Sequence, residues 1–372
     1  MGKKIAIICA YMKNNVGDDI FVYQLCTRYP NTQFYIAAPD YPNETLEQIS
    51  NLRFSRKMKS YDREIGSSFL SAAAKRFYSK FDASVIIGGS IFMQSSRNWM
   101  DQIQRNQNRL LLSNKLFIIG ANFGPYTESR FLIEYSKLFS KVEDICFRDS
   151  DSAAYFPEVS SVRWAPDVIF TYPVHESKTM SQVLISVIDC SWAGRPQLAQ
   201  LSVCKEAYEK KIVEICSAFY QSGHSICLAS FCSPQKDDAA AQRIMKECLD
   251  RGITDIKITE YRGNISSMVD EISKSKYIIA TRFHAMILGL LLGKPTYPII
   301  YDHKQKTVLR DLAFQGKYCS MNDIGNVDAA NVVCGLTNYK PFDCKKYILE
   351  AQQQFLALDM FINGTGQKAR GL

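Results

Sequence analysis

From Lys4 onward the chain alternates short, apolar, β-favouring runs with longer segments of helical periodicity, and midway it begins that alternation again. The first series runs "KIAIICA", a helix from about Asp18, "QFYIAA", "ASVIIGG", "KLFIIGA", a helix near "SRFLIEYSKLF", and "DICFRD". Strands that are apolar throughout and separated by helices belong to a parallel sheet covered on both faces. A polar, Pro-containing passage around 173–181 interrupts the pattern. It resumes with "VLISVID", a helix around "EAYEKKIVEICSAFYQSG", "HSICLAS", a helix near "AAAQRIMKECLDRG", "DIKITE" and "YIIATR". A length of 372 residues also exceeds what one core usually supports. The fold class is therefore α/β, with two Rossmann-like domains of mostly parallel sheet over 1–175 and 176–342. The amphipathic segment 343–362, with Tyr347, Ile348, Phe355, Leu356, Leu358 and Phe361, needs a partner surface and is expected to pack back on the first domain. Residues 363–372 read as a flexible tail.

Composition narrows the function classes. At 47% hydrophobic and 22% charged, the chain has ample material for sizeable cores. Its net charge of +8 suits anionic substrates or an anionic membrane surface, yet no Lys/Arg block has the density of a nucleic-acid site. Twelve scattered cysteines form no CxxC pair, which fits reduced, buried thiols in the cytoplasm. The start "MGKKIAIICAYM" reads as a first strand rather than a signal peptide, and no run approaches ~18 apolar residues.

Chemistry concentrates where strands end. In "TRFHAMILGLLLGKP", from Thr281, Arg282 and His284 stand at a strand-to-helix turn, where helix N–H groups and the helix dipole favour an anion. The plain structural reading is an Arg paired with a carboxylate and a His packed in the core. Other turns recur at equivalent places. "KNNVGDDIF" presents Asn15, Gly17, Asp18 and Asp19; "IIGGSIF" presents Gly88, Gly89 and Ser90; "IIGANFGP" presents Asn122; and "CFRDSDSA" presents Arg148. "YPIIYDHKQK" adds His303, Lys304 and Lys306. The GGS turn does not continue into a nucleophile elbow, and the carboxylates lack metal-ligand spacing.

Taken in order, "NNVGDD", "GGSIF", "GANFGP", "FRDSDSA", "APDVIF" and "TRFHAMILGLLLGKPTYPIIYDHKQKTVLRDLAF" resemble the polysaccharide pyruvyl transferases over most of residues 10–315. Ser90 departs from a frequent third glycine, and "GANFGP" lacks a glutamine often found there. The resemblance implies a GT-B-like pair of domains with the active site in the cleft between them. It also implies transfer of pyruvate from phosphoenolpyruvate onto a hexose as a ketal, with release of phosphate. On that reading the donor is held by Arg148, Arg282 and Lys304 or Lys306, whose cations match its carboxylate and phosphate. His284 moves protons, with Arg148 and Arg282 beside it, and His303 is the rival. Asn15, Gly17, Asp18, Asp19, Gly88, Gly89, Ser90 and Asn122 belong to the acceptor side or the cleft wall. No metal and no cofactor is called for. The implied acceptor is a lipid-linked saccharide met by peripheral contact at the inner face of the cell membrane. Nucleic acid is not a partner, and a homo-oligomer is compatible with the sequence. Two other functions fit the same architecture: a nucleotide-sugar glycosyltransferase, although Glu260 has Met268 rather than glutamate eight residues on, and a non-catalytic sugar-phosphate-binding relative.

Overall fold

The apolar runs form two separate parallel sheets. A computed structural model describes residues 3–67, 69–94, 98–175, 177–192 and 201–364. The first sheet contains β1 (Lys4–Cys9), β2 (Gln33–Ala37), β3 (Leu52–Ser55), β4 (Ala83–Ile87), β5 (Leu116–Ala121), β6 (Asp144–Phe147) and β7 (Val162–Trp164), in the order β3-β2-β1-β4-β5-β6-β7. The second contains β8 (Met180–Ser186), β9 (Ser225–Ser230), β10 (Ile256–Glu260), β11 (Ser275–Ala280), β12 (Thr296–Ile300) and β13 (Cys319–Ser320), in the order β10-β9-β8-β11-β12-β13. Each sheet reverses its winding once, between β1 and β4 and between β8 and β11, and helices cover both faces. This is the expected pair of Rossmann-like domains. Sequence periodicity missed β3, β7 and β13, because β7 and β13 are only three and two residues long and β3, Leu-Arg-Phe-Ser, lacks the unbroken apolar run that marks the equally short β6.

The central strands β4, β5 and β6 are buried along their whole length, which explains their lack of polar alternation. The core does not stop at the domain boundary. One apolar cluster joins helix Val16–Arg28 of the first domain to helix Phe283–Leu291 of the second. Backbone contacts reinforce it: Val16 N–H donates to the Phe231 carbonyl at 3.3 Å and Thr45 N–H to the Gly263 carbonyl at 3.0 Å.

The C-terminal segment crosses to the first sheet as Lys345–Ala351, the 3₁₀ turn Gln352–Phe355 and Leu356–Asn363, not as one continuous helix. Arg28 grips Asp359 with both prongs of its fork, at 2.9 and 2.7 Å, and Phe361 packs 5.4 Å from Phe117. Within the turn, Gln354 is fully buried. Its Oε1 accepts from Gly120 N–H at 3.0 Å, and its Nε2 donates to the carbonyls of Phe147, Ala165 and Pro166. One side chain thus satisfies backbone groups around the ends of β5, β6 and β7. Gln354→Leu should lower stability by at least about 2 kcal/mol, read from denaturant midpoints, because it strands several buried backbone groups.

Asp19 faces the domain junction rather than the cleft. Its Oδ2 accepts from Tyr261 OH of the second domain and from Asn43 Nδ2, both at 2.7 Å, while the buried Oδ1 has no hydrogen-bond partner among the described residues. Desolvation outweighs those two bonds and pushes the carboxyl up to about 8. In the unfolded chain an aspartate loses its proton near about 4. Between those values the folded state binds the extra proton, so stability falls as pH rises through the window. Asp19→Asn should flatten that fall in thermal midpoints measured across the range. An unchanged slope would contradict the burial argument.

Candidate active site

The carboxyl ends of strands from both sheets face one cleft, as expected where parallel sheets reverse their winding. Its cavity of about 310 Å³ is lined by Cys9, Ala10 and Tyr11 after β1, by Asn15 and Asp18 at the following helix, and by Gly89, Ser90 and Ile91 after β4. Arg148 follows β6; Phe231 and Gln235 follow β9; Arg282, Phe283 and His284 follow β11; Tyr301 and Lys304 follow β12. Of the larger cavities, those of about 570 and 640 Å³ lie around Tyr23 and Tyr172 and around Phe314 and Phe342, away from these residues, and one of about 370 Å³ adjoins the cleft at Lys304.

Arg148 occupies the centre. It is 3% exposed, and NH1 donates to Asp167 Oδ2 at 3.1 Å and to His284 Nε2 at 3.3 Å, while NH2 donates to Asn122 Oδ1 at 2.9 Å. Its guanidinium also lies 4.1 Å from the centroid of the Phe283 ring, a cation–π contact supplied by the second domain. Burial raises the Asp167 carboxyl above its ordinary range, with Arg148 opposing the shift. Gly89 makes room for the guanidinium, since a Cβ there would stand 2.6 Å from Arg148 NH2.

His284 sits in the first turn of helix Phe283–Leu291, which starts where Thr281 and Arg282 N–H both donate to Ser186 Oγ, at 3.0 and 3.1 Å. The ring is wedged between Phe21, at 5.5 Å, and Phe283, at 5.1 Å. An arginine has no lone pair to offer, so the bond from Arg148 requires a lone pair on Nε2 and favours the neutral imidazole. Across the cleft, Gly17 opens helix Val16–Arg28 directly against that ring: an added Cβ would lie 1.7 Å from His284 Nδ1. Asn15 caps the same helix by accepting from Gly17 N–H at 3.1 Å.

Arg282 is also at the cleft, with most of its fork taken up by partners within the second domain. Nε donates to Asp237 Oδ2 at 2.8 Å, NH2 bonds Asp237 Oδ1, and NH1 donates to Gln235 Oε1 at 2.6 Å. The physical reason is burial, because a guanidinium 7% exposed needs a counter-charge. Burial works against the Arg282 charge, and Asp237 more than restores it. Three of five N–H donors are engaged, which leaves two.

Lys304 reaches across the domains. Its Nζ donates to Ser90 Oγ at 2.6 Å and lies 3.1 Å from Asp302, while Ser90 donates to Asn122 Oδ1 at 3.2 Å. Lys306 is exposed and absent from the cleft lining. Helix His303–Asp311 carries both lysines, and residues two apart on a helix diverge. His303 opens instead on a neighbouring cavity of about 370 Å³ that it shares with Asn122, Asp151 and Lys304. Gly88 lies behind the lining, its Cβ position 3.5 Å from Asp18 Oδ1. Of the adjacent acids, Asp18 lines the cleft and Asp19 does not.

Sequence reasoning passed over Tyr11, Trp192, Gln235 and Tyr301 in the lining, and Asp167 and Asp237 behind the arginines. The strand-end rule that singled out Arg148 would have reached "SPQKDD" after β9, had it been applied to every strand. Among the described residues no group of three or more His, Cys, Asp or Glu has the arrangement of a metal site. Gly17→Ala should displace His284 and abolish most activity while the chain remains folded. Retention of full activity would show that the ring position is immaterial.

The family model for polysaccharide pyruvyl transferase matches residues 15–303. The amylovoran biosynthesis protein AmsJ of Erwinia amylovora is 21% identical over 251 residues, covering 63% of this chain and only 60% of that protein. A putative UDP-N-acetylglucosamine 2-epimerase from Listeria monocytogenes superposes with a TM-score of 0.61 at 8% identity, covering 100% of this chain and 99% of its own. Anabaena Alr3699/HepE, solved with UDP and glucose, gives 0.52 at 10% identity, covering 97% and 95%. Identities this low speak for fold alone, a GT-B-like pair of domains. The family match, in contrast, takes in well over half of the sequence, and the chain belongs to the polysaccharide pyruvyl transferase family.

Proposed function

We propose that the chain transfers the pyruvate unit of phosphoenolpyruvate to two hydroxyls of one hexose in a lipid-linked saccharide, forming a ketal and releasing phosphate. The observation that carries the reading is the bond from Arg148 to His284 Nε2. It supports a neutral imidazole beside a fixed cation, in a cleft walled by both domains. Lys304, the unused N–H groups of Arg282 and the edge of Arg148 offer positive charge to the donor's carboxylate and phosphate. The head of helix Phe283–Leu291 adds backbone N–H groups to the same wall.

In this reading the first hydroxyl adds across the enol double bond. Its oxygen bonds to C2, His284 takes its proton and delivers one to C3, and the imidazole ends neutral as it began. The C2–O bond to phosphate then breaks with its electron pair going to phosphate. The second hydroxyl oxygen closes on C2, and its proton leaves with the phosphate. In the same reading Asp18, which lines the cleft, orients a sugar hydroxyl of the acceptor. The sequence requires no cofactor for these steps. A saccharide acceptor on a lipid carrier places the work at the inner face of the cell membrane.

Phosphate release that depends on both phosphoenolpyruvate and a glycan acceptor tests the reaction. His284→Gln should lower turnover by about 10²-fold or more while calorimetric titration still detects the donor. Arg148→Ala should weaken donor binding itself. Near-normal turnover in the histidine variant would remove the proton role from His284.

A further inference from the structure

The positive charge of this chain is not spread evenly. Residues 53–80 hold eight Lys and Arg against two acids, a net of +6 out of the chain's +8. All eight cations are exposed. They sit on helix Arg56–Ile65, on helix Ala72–Tyr78 and at their flanks, and the two helices pack together through Tyr61 and Phe77, with ring centroids 5.5 Å apart. In the first helix, Met58 and Ile65 face the core, so Arg56, Lys59 and Arg63 fall on the opposite side. Among the described residues, only Lys59 of the eight makes an ion pair, with exposed Asp40. Phe69, in the connection between the helices, is 73% exposed.

We propose that this face docks on an anionic lipid headgroup surface, with Phe69 entering the interface and the cations resting on the headgroups. Two observations favour a membrane over a soluble polyanion. Cations alone would serve a polyanion, whereas a large apolar ring held out among them matches the headgroup–acyl boundary. The face also borders the reaction cleft: Met58 and Lys59 line a cavity with Cys9, Ala10 and Tyr11, which line the cleft as well. A membrane-held acceptor would therefore meet the cleft from the side on which the protein docks. This deepens the reading of a lipid-linked acceptor and rests on it for the purpose of docking, although the docking itself requires neither substrate.

The test is co-sedimentation of the full chain with vesicles of phosphatidylglycerol in phosphatidylcholine, against phosphatidylcholine alone, at low and raised salt. Binding should need the anionic lipid and weaken with salt. The triple variant Arg56→Gln, Lys57→Gln, Arg63→Gln should lose on the order of 100-fold in partitioning at low salt, from attraction lost at each cation. The same charge removed elsewhere, by Lys210→Gln, Lys246→Gln and Lys317→Gln, should cost far less. Phe69→Ser should weaken binding that persists at raised salt. Thermal midpoints of each variant establish that it is folded. Equal losses in both triple variants, or equal binding to phosphatidylcholine alone, would overturn the proposal. So would an inert Phe69→Ser together with undiminished binding to dextran sulfate, which would assign the face to a soluble polyanion. Because no donor or acceptor enters this assay, its failure leaves the phosphate-release test untouched, and the reverse holds.

Discussion

The cleft depends on a buried guanidinium. Arg148 enters from the end of β6 and is tolerable in that interior because Asp167 lies beside it and Asn122 and His284 each accept one further N–H bond. Each partner comes from a different part of the chain, so the guanidinium ties β5, the 3₁₀ turn after Asp167 and the second domain's helix Phe283–Leu291 to one point. The Phe283 ring over its face and the bare backbone of Gly89 beneath it follow from the same need for close packing. Moving the domains apart would strip a buried cation of its second-domain partners. The electrostatics that shape the imidazole therefore also help hold the cleft closed.

Arg282 solves the matching problem in the second sheet with Asp237 and Gln235, and that pairing holds the turn after β9 against the turn after β11. Lys304 adds a bridge to Ser90 in the first domain. The cleft is thus framed by cations whose charges are partly neutralised by buried acids, leaving directed N–H groups rather than an open basic patch. Ser150, Asp151, Thr307 and Asp311 bond across a second part of the junction, with Ser150 N–H donating to Asp311 at 2.8 Å and Thr307 to Asp151 at 2.7 Å. The C-terminal crossing completes the first sheet through Gln354, so the last turns of the chain support the strands that present Arg148.

The architecture was legible because parallel strands buried on both faces must be apolar throughout, and the alternation of such runs with helices leaves few other arrangements. His284, Arg282 and Arg148 stood out as cationic or titratable groups at turns that follow strands and open helices, where helix N–H groups and the helix dipole favour an anion. Distinctions between neighbours were not legible. Asp18 and Asp19 look equivalent in "GDDIF", yet consecutive helical residues point about 100° apart, so one meets the cleft and the other the junction. Lys304 and Lys306 part for the same reason once the helix is known to begin at His303.

The sequence by itself determined the two sheets, the strand-end turns and the family, since each is written in local periodicity or in the order of short motifs. Only the tertiary structure decided which way each charged side chain points. Asp237 lies 45 positions from Arg282, and Asp167 lies 19 from Arg148; no local pattern records that they meet. The pairing arises because folding buries both partners, and burial, not sequence distance, sets the cost of leaving a charge alone.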